Sequence, residues 1–209
     1  MLCYPRPFKP GSWGKFVKKL SFAATAAILV GMSGAAGAQQ LTPKSYDFVQ
    51  AVQKRDGDKA TEILNDSPPG IVNSRNGEGD TALIIAIERS DPDWTGFLIK
   101  KGADLNLGGH GGDTPLIAAA RVGFEDAVEW LIGLGAKVDA ENRAGETPLI
   151  VAVQQRRPQI VRVLLSAGAD PDKPDSAAGY SARDYAKRDT RSRQILDLIE
   201  AKKPKPPAR

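Results

Sequence analysis

A four-residue stretch occurs three times in this chain, as Asp80-Thr81-Ala82-Leu83, Asp113-Thr114-Pro115-Leu116 and Glu146-Thr147-Pro148-Leu149. Each copy begins 33 residues after the one before it. A second stretch keeps the same period, as Gly102-Ala103-Asp104, Gly135-Ala136-Lys137 and Gly168-Ala169-Asp170. A constant period of this length is typical of stacked supersecondary units. Such a stack offers a partner a long surface rather than one reaction centre.

Each copy predicts a pair of helices. Thr81, Thr114 and Thr147 are expected to begin the first helix, because a threonine hydroxyl accepts hydrogen bonds from the first backbone amides. In two copies a proline follows in the first helical turn, where the missing amide hydrogen costs nothing. Apolar residues then recur at helical spacing, and the leucine of each stretch is expected to lie in the core. A second apolar helix follows and ends at a left-handed glycine.

Two atypical units flank the three central ones. The stretch Gly179-Tyr180-Ser181-Ala182 repeats the motif, with its serine 34 residues after Thr147, and more polar helices follow it. A terminal unit must expose its outer side to water, so these helices predict a cap, and the start of the array predicts another. The sequence therefore predicts an all-α solenoid of about five helix-turn-helix units, with approximate bounds 45–75, 76–108, 109–141, 142–174 and 175–201.

These motifs resemble those of the ankyrin-repeat family, most closely in Gly112–Ala120 and in Leu164–Asp170. The resemblance covers about residues 45–201. It implies an ankyrin stack with projecting hairpin loops and a concave face, and it implies protein binding as the activity. The family's histidine is isoleucine in all three copies, at Ile84, Ile117 and Ile150. Apolar packing must therefore replace the hydrogen bonds by which that histidine ties neighbouring loops.

The resemblance also indicates where a partner protein would bind: in the hairpin before each threonine and near the end of each first helix. The positions that carry side chains suited to such contacts are Arg75, Glu78, Asp80, Glu88, Arg89, His110, Asp113, Arg121, Glu141, Arg143, Glu146, Gln154 and Gln155. Arginine is the one residue type among them that often dominates binding energy. The alternative interpretation is a solvated face of mixed charge that keeps the protein soluble.

The formal net charge of +4 is unevenly distributed. Residues 1–38 hold five basic and no acidic residues, residues 202–209 hold four basic and none acidic, and the body between has 20 basic against 25 acidic. An acidic body repels phosphate, so nucleic acid is not expected as a partner. The proline-rich tail at 202–209 is predicted to be disordered, and membrane contact is expected to be peripheral and through this tail alone.

The N-terminus predicts a secretory signal peptide. Three lysines at positions 15, 18 and 19 precede an uncharged run, Leu20–Met32, and Ala36-Gly37-Ala38 has the pattern of a cleavage site. We expect cleavage after Ala38, a linker at 39–44, and a periplasmic protein. A retained signal anchor is the alternative, although the run is short for a membrane span of about 20 residues. The one cysteine, Cys3, would leave with the signal, which suits an oxidising compartment.

No catalytic residue, metal or cofactor is predicted. His110 is the only histidine and stands among four glycines, where a catalytic base is hard to hold rigidly. The stretch Gly108–Thr114 lacks the Lys-Ser/Thr ending of a phosphate loop. Asp170, Asp172 and Asp175 lack the spacing of a calcium loop, and one histidine without cysteine does not supply a zinc site.

Several functions are compatible with this sequence. The leading hypothesis is a non-enzymatic, monomeric protein that binds another protein in the periplasm through the concave face and hairpins, either as a scaffold or as an inhibitor or immunity-type binder. The alternative is an envelope-associated structural or stress-protection protein, tethered by the basic tail at 202–209. An effector delivered into a host cell is a further hypothesis. The sequence does not identify the partner.

Overall fold

The computed structural model of the protein describes residues 44–68 and 70–201, all within a unit that spans Thr42–Arg209. Those ranges contain ten α-helices, which are α1 (Lys44–Lys54), α2 (Gly57–Asn65), α3 (Ala82–Glu88), α4 (Pro92–Lys100), α5 (Pro115–Val122), α6 (Glu125–Gly133), α7 (Pro148–Gln154), α8 (Pro158–Ser166), α9 (Ala182–Arg188) and α10 (Arg193–Glu200). Over the same ranges no β-strand forms, and extended segments pair only through isolated β-bridges. The predicted all-α solenoid is thereby confirmed.

Local chemistry places the helix boundaries. The hydroxyls of Thr81, Thr114 and Thr147 each accept a hydrogen bond from the amide three residues later, as a helix N-cap should. Pro115 and Pro148 occupy the first turns of α5 and α7. The glycines that follow α4, α6 and α8 are left-handed, with φ of 85°, 90° and 98°. The helix starts and stops are therefore set by residues that act within their own unit.

The core runs through the first helices of the pairs. In α3, α5 and α7 six consecutive residues are buried, namely 82–87, 115–120 and 148–153. Each of these helices packs against its own second helix and against the first helices on either side. The three isoleucines at the family's histidine position are buried in this core. They therefore contribute apolar packing between units, as the sequence predicted.

Neighbouring hairpins are also joined by polar bonds. The Arg143 amide donates to the Gly111 carbonyl at 2.9 Å, and the Ser176 amide donates to the Ala144 carbonyl at 2.9 Å. These backbone bonds join units where the family's histidine is missing. The hairpins are thus cross-linked without that side chain.

Several sequence predictions concern residues outside the described ranges. They are the signal peptide at 1–38, most of the linker at 39–44 and the tail at 202–209. Within 44–68 and 70–201, none of the helices combines the length and the apolar composition that crossing a membrane requires.

Candidate functional site

Charged side chains from three successive units meet on the hairpin side of the stack. Stacking brings together residues about 30 positions apart, because each hairpin lies against the next. We call this group the hairpin-face cluster and define it as Glu78, Asp80, Glu88, Asp113, Arg121 and Glu146. It contains five carboxylates and one guanidinium group. All six residues belong to the partner-binding positions inferred from the sequence.

Asp113 is the centre of the hairpin-face cluster. Arg121 donates to Asp113 Oδ2 from Nε at 3.0 Å and from Nη2 at 2.7 Å. Asn142, from the next hairpin, donates through Nδ2 to Asp113 Oδ1 at 2.8 Å and to Glu146 Oε2 at 2.9 Å. The Arg121 Nη2 atom lies 3.7 Å from Glu146 Oε2. Two hairpins and the end of α5 thereby fix the positions of both carboxylates.

Asp80, one unit before Asp113, also accepts a hydrogen bond from the hairpin of the following unit. Its side chain is buried, and Oδ1 accepts a hydrogen bond from the His110 amide at 2.6 Å. The His110 ring lies over the preceding hairpin, with Nδ1 3.2 Å from the Glu78 carbonyl oxygen. Residue 109 must be glycine for this approach, since a Cβ there would lie 2.4 Å from Asp80 Oδ1. His110 therefore helps to dock one hairpin on another.

The Glu88 carboxylate, like that of Glu78, makes no hydrogen bond or ion pair with another described residue, in contrast to the carboxylates of Asp80, Asp113 and Glu146. Its side chain is exposed at the end of α3. Partial burial raises its pKa above the ordinary value of 4.5, and the nearby charges of Asp80, Asp113 and Glu78 raise it further. Arg121 opposes this effect without cancelling it. The hairpin-face cluster therefore carries an unneutralised negative charge at its exposed edge.

Glu88→Gln is expected to stabilise the protein at neutral pH. The raised pKa means that folding favours the protonated side chain, so the stabilisation is fully present below pH 4.5 and is lost as the pH rises through the folded-state pKa. At pH 7 the substitution removes repulsion and should raise the free energy of unfolding by less than ~1 kcal/mol, because the group is exposed. At pH 3 the variant and the parent should unfold alike.

Thermal unfolding at the two pH values measures the difference between Glu88→Gln and the parent, with Glu129→Gln on α6 as the control. An equal gain at both pH values would contradict the electrostatic origin.

The structure spreads the remaining predicted positions around the cluster. Arg75 donates to the carbonyls of Gly79 and Gly108, so it joins two hairpins. Arg89 turns away and donates to the Val52 carbonyl at 3.2 Å. Both arginines are thus engaged in holding the stack together.

Four predicted positions lie toward the C-terminal units. Glu141 Oε1 is 2.6 Å from Lys173 Nζ, and the Gln154 side chain is half-buried near Tyr185. Arg143 and Gln155 are exposed. The use of any of these residues by a partner stays a prediction.

Sequence reasoning missed a second ladder of bonds between units. Side chains at 73, 106 and 139 each accept a hydrogen bond from the backbone amide 31 residues later, at 2.8 to 3.0 Å. The acceptors are Asn, Asn and Asp at the 33-residue period. This periodic recurrence of Asn or Asp was the sequence feature from which the second ladder could have been predicted. The role of Asn142 was missed because only the stack shows which carboxylates it meets.

The arrangement supports recognition by charge and hydrogen bonding. Within residues 44–68 and 70–201, no group of three or more His, Cys, Asp or Glu side chains is placed to hold a metal ion. His110, the one candidate base, has its Nδ1 atom at a backbone carbonyl.

A family model described as "Ankyrin repeats (3 copies)" matches residues 48–142 and 111–175 of the chain. A search of curated proteins finds no significant match. The family match spans the hairpin-face cluster and all the helices from α3 to α8.

Proposed function

The chain belongs to the ankyrin-repeat family, and from that premise we propose that it is a protein-binding module of the cell envelope whose partner contacts the hairpin-face cluster. Ankyrin repeats are generally protein–protein interaction modules, and the proteins built from them are typically non-enzymatic. The proposal adds to this a place in the cell and a contact surface.

The observation that carries the proposal is the state of Glu88. An exposed carboxylate beside three others is electrostatically unfavourable, and a cation from a partner would relieve the repulsion. The nearby carboxylates of Asp80 and Asp113 are already held by hydrogen bonds from two units, so little of their side-chain entropy would be lost on binding. A basic side chain at the partner's surface is therefore the expected counterpart of Glu88.

The proposed compartment is the periplasm, and it is supported by the sequence of residues 1–38 alone. An exported stack that presents a preorganised acidic surface would suit a scaffold or an inhibitor that masks another exported protein. Both roles use the same surface. Identification of the captured partner would separate them.

The test is a charge swap that leaves the net charge unchanged. Glu88→Lys combined with Arg143→Glu exchanges two exposed charges that make no side-chain hydrogen bond to another described residue. Arg89 and Arg121 are left intact because both make structural hydrogen bonds. The matched control, Glu129→Lys with Lys137→Glu, exchanges two exposed charges on the outer side of the third unit.

The measurement is affinity capture from an envelope extract, with the tagged, exported chain and both variants as baits after a check of folding by circular dichroism. We expect a protein that the parent and the control retain and that the Glu88–Arg143 swap loses. Equal retention by all three baits would place the contact away from the hairpin-face cluster. Loss of capture only with a further bait that lacks residues 202–209 would support the tethered envelope protein instead.

A further inference from the structure

The turns between the two helices of each pair reverse their charge along the stack. In the second and third units, residues 88–94 and 121–127 together hold two basic and five acidic residues. In the last two units, residues 154–160 and 186–194 hold six basic residues and one acidic residue. We call these six cations the terminal basic patch, which consists of Arg156, Arg157, Lys187, Arg188, Arg191 and Arg193. None of them belongs to the hairpin-face cluster.

Asp189, the one acidic residue of these two turns, shows that the terminal basic patch attracts a carboxylate. Asp189 Oδ2 lies 2.6 Å from Arg156 Nε, and its Oδ1 lies 3.5 Å from Arg191 Nε. The hydrogen bond from Arg156, with a second from the Ser192 hydroxyl, holds the pKa of Asp189 well below its ordinary value. Two turns thus share a single carboxylate, in surroundings that strongly favour a negative charge.

Most of the positive charge is left without a carboxylate. Lys187 and Arg193 are exposed, and neither makes an ion pair with another residue in the described part of the chain. The Arg157 guanidinium group donates a hydrogen bond to the Val122 carbonyl, at 3.3 Å, and makes no ion pair with a described carboxylate. Arg188 stacks on the Tyr180 ring, 3.9 Å from its centroid, and this contact does not neutralise it. The terminal basic patch can therefore accept further carboxylates.

The helices that begin in the patch add to the attraction. Neither α8, nine residues long, nor α10, eight residues long, has a side-chain hydrogen bond at its N-cap. In the first two units the carboxylates of Asp56 and Asp91 cap α2 and α4. An acidic side chain from outside would place a negative charge at an equivalent position, where the helix dipole favours it.

We propose that the terminal basic patch binds a short acidic segment of a partner protein. A membrane surface is a poorer match, because the large exposed apolar side chains of the described residues are Tyr46 and Leu134, and neither lies in the patch. A long polyanion such as a nucleic acid would have to pass the acidic turns of the third and second units. A segment of a few Asp or Glu residues meets the cations and avoids those turns.

The proposal is tested by the binding of a fluorescein-labelled deca-glutamate peptide to the full chain, followed by fluorescence anisotropy. The variant Lys187→Glu, Arg191→Glu, Arg193→Glu reverses three exposed charges of the patch. The matched control, Lys202→Glu, Lys203→Glu, Lys205→Glu, changes the net charge by the same amount in the basic tail. We expect the patch variant to bind the peptide at least about tenfold more weakly than the parent, and the control to bind less than about twofold more weakly.

A second variant and two other ligands complete the binding experiment. If the triple variant unfolds, Lys187→Gln with Arg193→Gln replaces it, and a loss of about threefold is expected. Equal weakening of the patch variant and the tail control would overturn the proposal, since binding would then follow net charge. Tighter binding to phosphatidylglycerol vesicles or to a 40-nucleotide oligothymidine than to the peptide would overturn it as well, by assigning the patch to another class of ligand.

Discussion

Leu116→Ala is expected to lower the free energy of unfolding by about 2–5 kcal/mol. Leu116 is fully buried in α5, which packs between α3 and α7 in the middle of the array. Its loss would leave a cavity, and the hydrogen bonds from the His110 amide to Asp80 and from the Arg143 amide to the Gly111 carbonyl hold the neighbouring units in place and resist its collapse. In a repeat stack each unit is stabilised by its neighbours, so a weakened central unit removes support from both halves.

Urea denaturation followed by far-UV circular dichroism measures this effect. Leu134→Ala serves as the control, because it makes the same chemical change at a side chain that is 57% exposed. The control should alter stability by no more than about 0.5 kcal/mol. If the two variants had equal denaturation midpoints, the placement of the core in the first helices would be wrong.

Gly145→Ala is expected to destabilise the protein by about 3 kcal/mol. Gly145 has a φ of 76°, which an alanine adopts only with strain. A Cβ at this position would also lie 2.4 Å from the Ser176 amide nitrogen. That amide donates the hydrogen bond to the Ala144 carbonyl that links the fourth unit to the last. The alanine would therefore strain its own turn and separate two hairpins.

Gly79→Ala separates the effect of backbone strain from the effect of the clash between hairpins. Gly79 occupies the equivalent turn two units earlier and has a φ of 98°, but a Cβ there would have no other atom within 4 Å. We expect only the conformational strain at this site, a cost of about 1 kcal/mol. Differential scanning calorimetry of the two variants gives the comparison. Equal losses would show that the contact between hairpins contributes nothing to stability.

The repeat architecture could be predicted from the sequence because its determinants act over short distances. A threonine caps a helix through an amide three residues away, and a glycine relieves strain at its own φ. These effects recur at positions 33 apart, so the phase of one unit predicts that of the next. The positions proposed for the candidate site came from the resemblance to the ankyrin-repeat family, carried from unit to unit by the same phase. The contacts of these side chains could not be predicted in this way, because residues at equivalent positions of different units meet different groups.

Three arginines show which contacts could not be predicted from the sequence. Arg89, Arg121 and Arg143 occupy repeat positions that all predict contact with a partner. The structure shows Arg89 bonded to a carbonyl of α1, Arg121 bonded to Asp113, and only Arg143 exposed without a side-chain hydrogen bond to another described residue. No local pattern separates these outcomes, since each depends on which group the neighbouring unit supplies.

The sequence by itself determined the helices, the turns, the number of units and the face that carries the hairpins. Propensity, capping and backbone strain act on a residue and its nearest neighbours along the chain, and those neighbours are printed in the sequence. The tertiary structure alone decided that Glu88 is left among carboxylates and that Asp189 joins two arginine-rich turns. Electrostatic interactions depend on distance in space, and distances between residues about 30 positions apart exist only once the units have stacked.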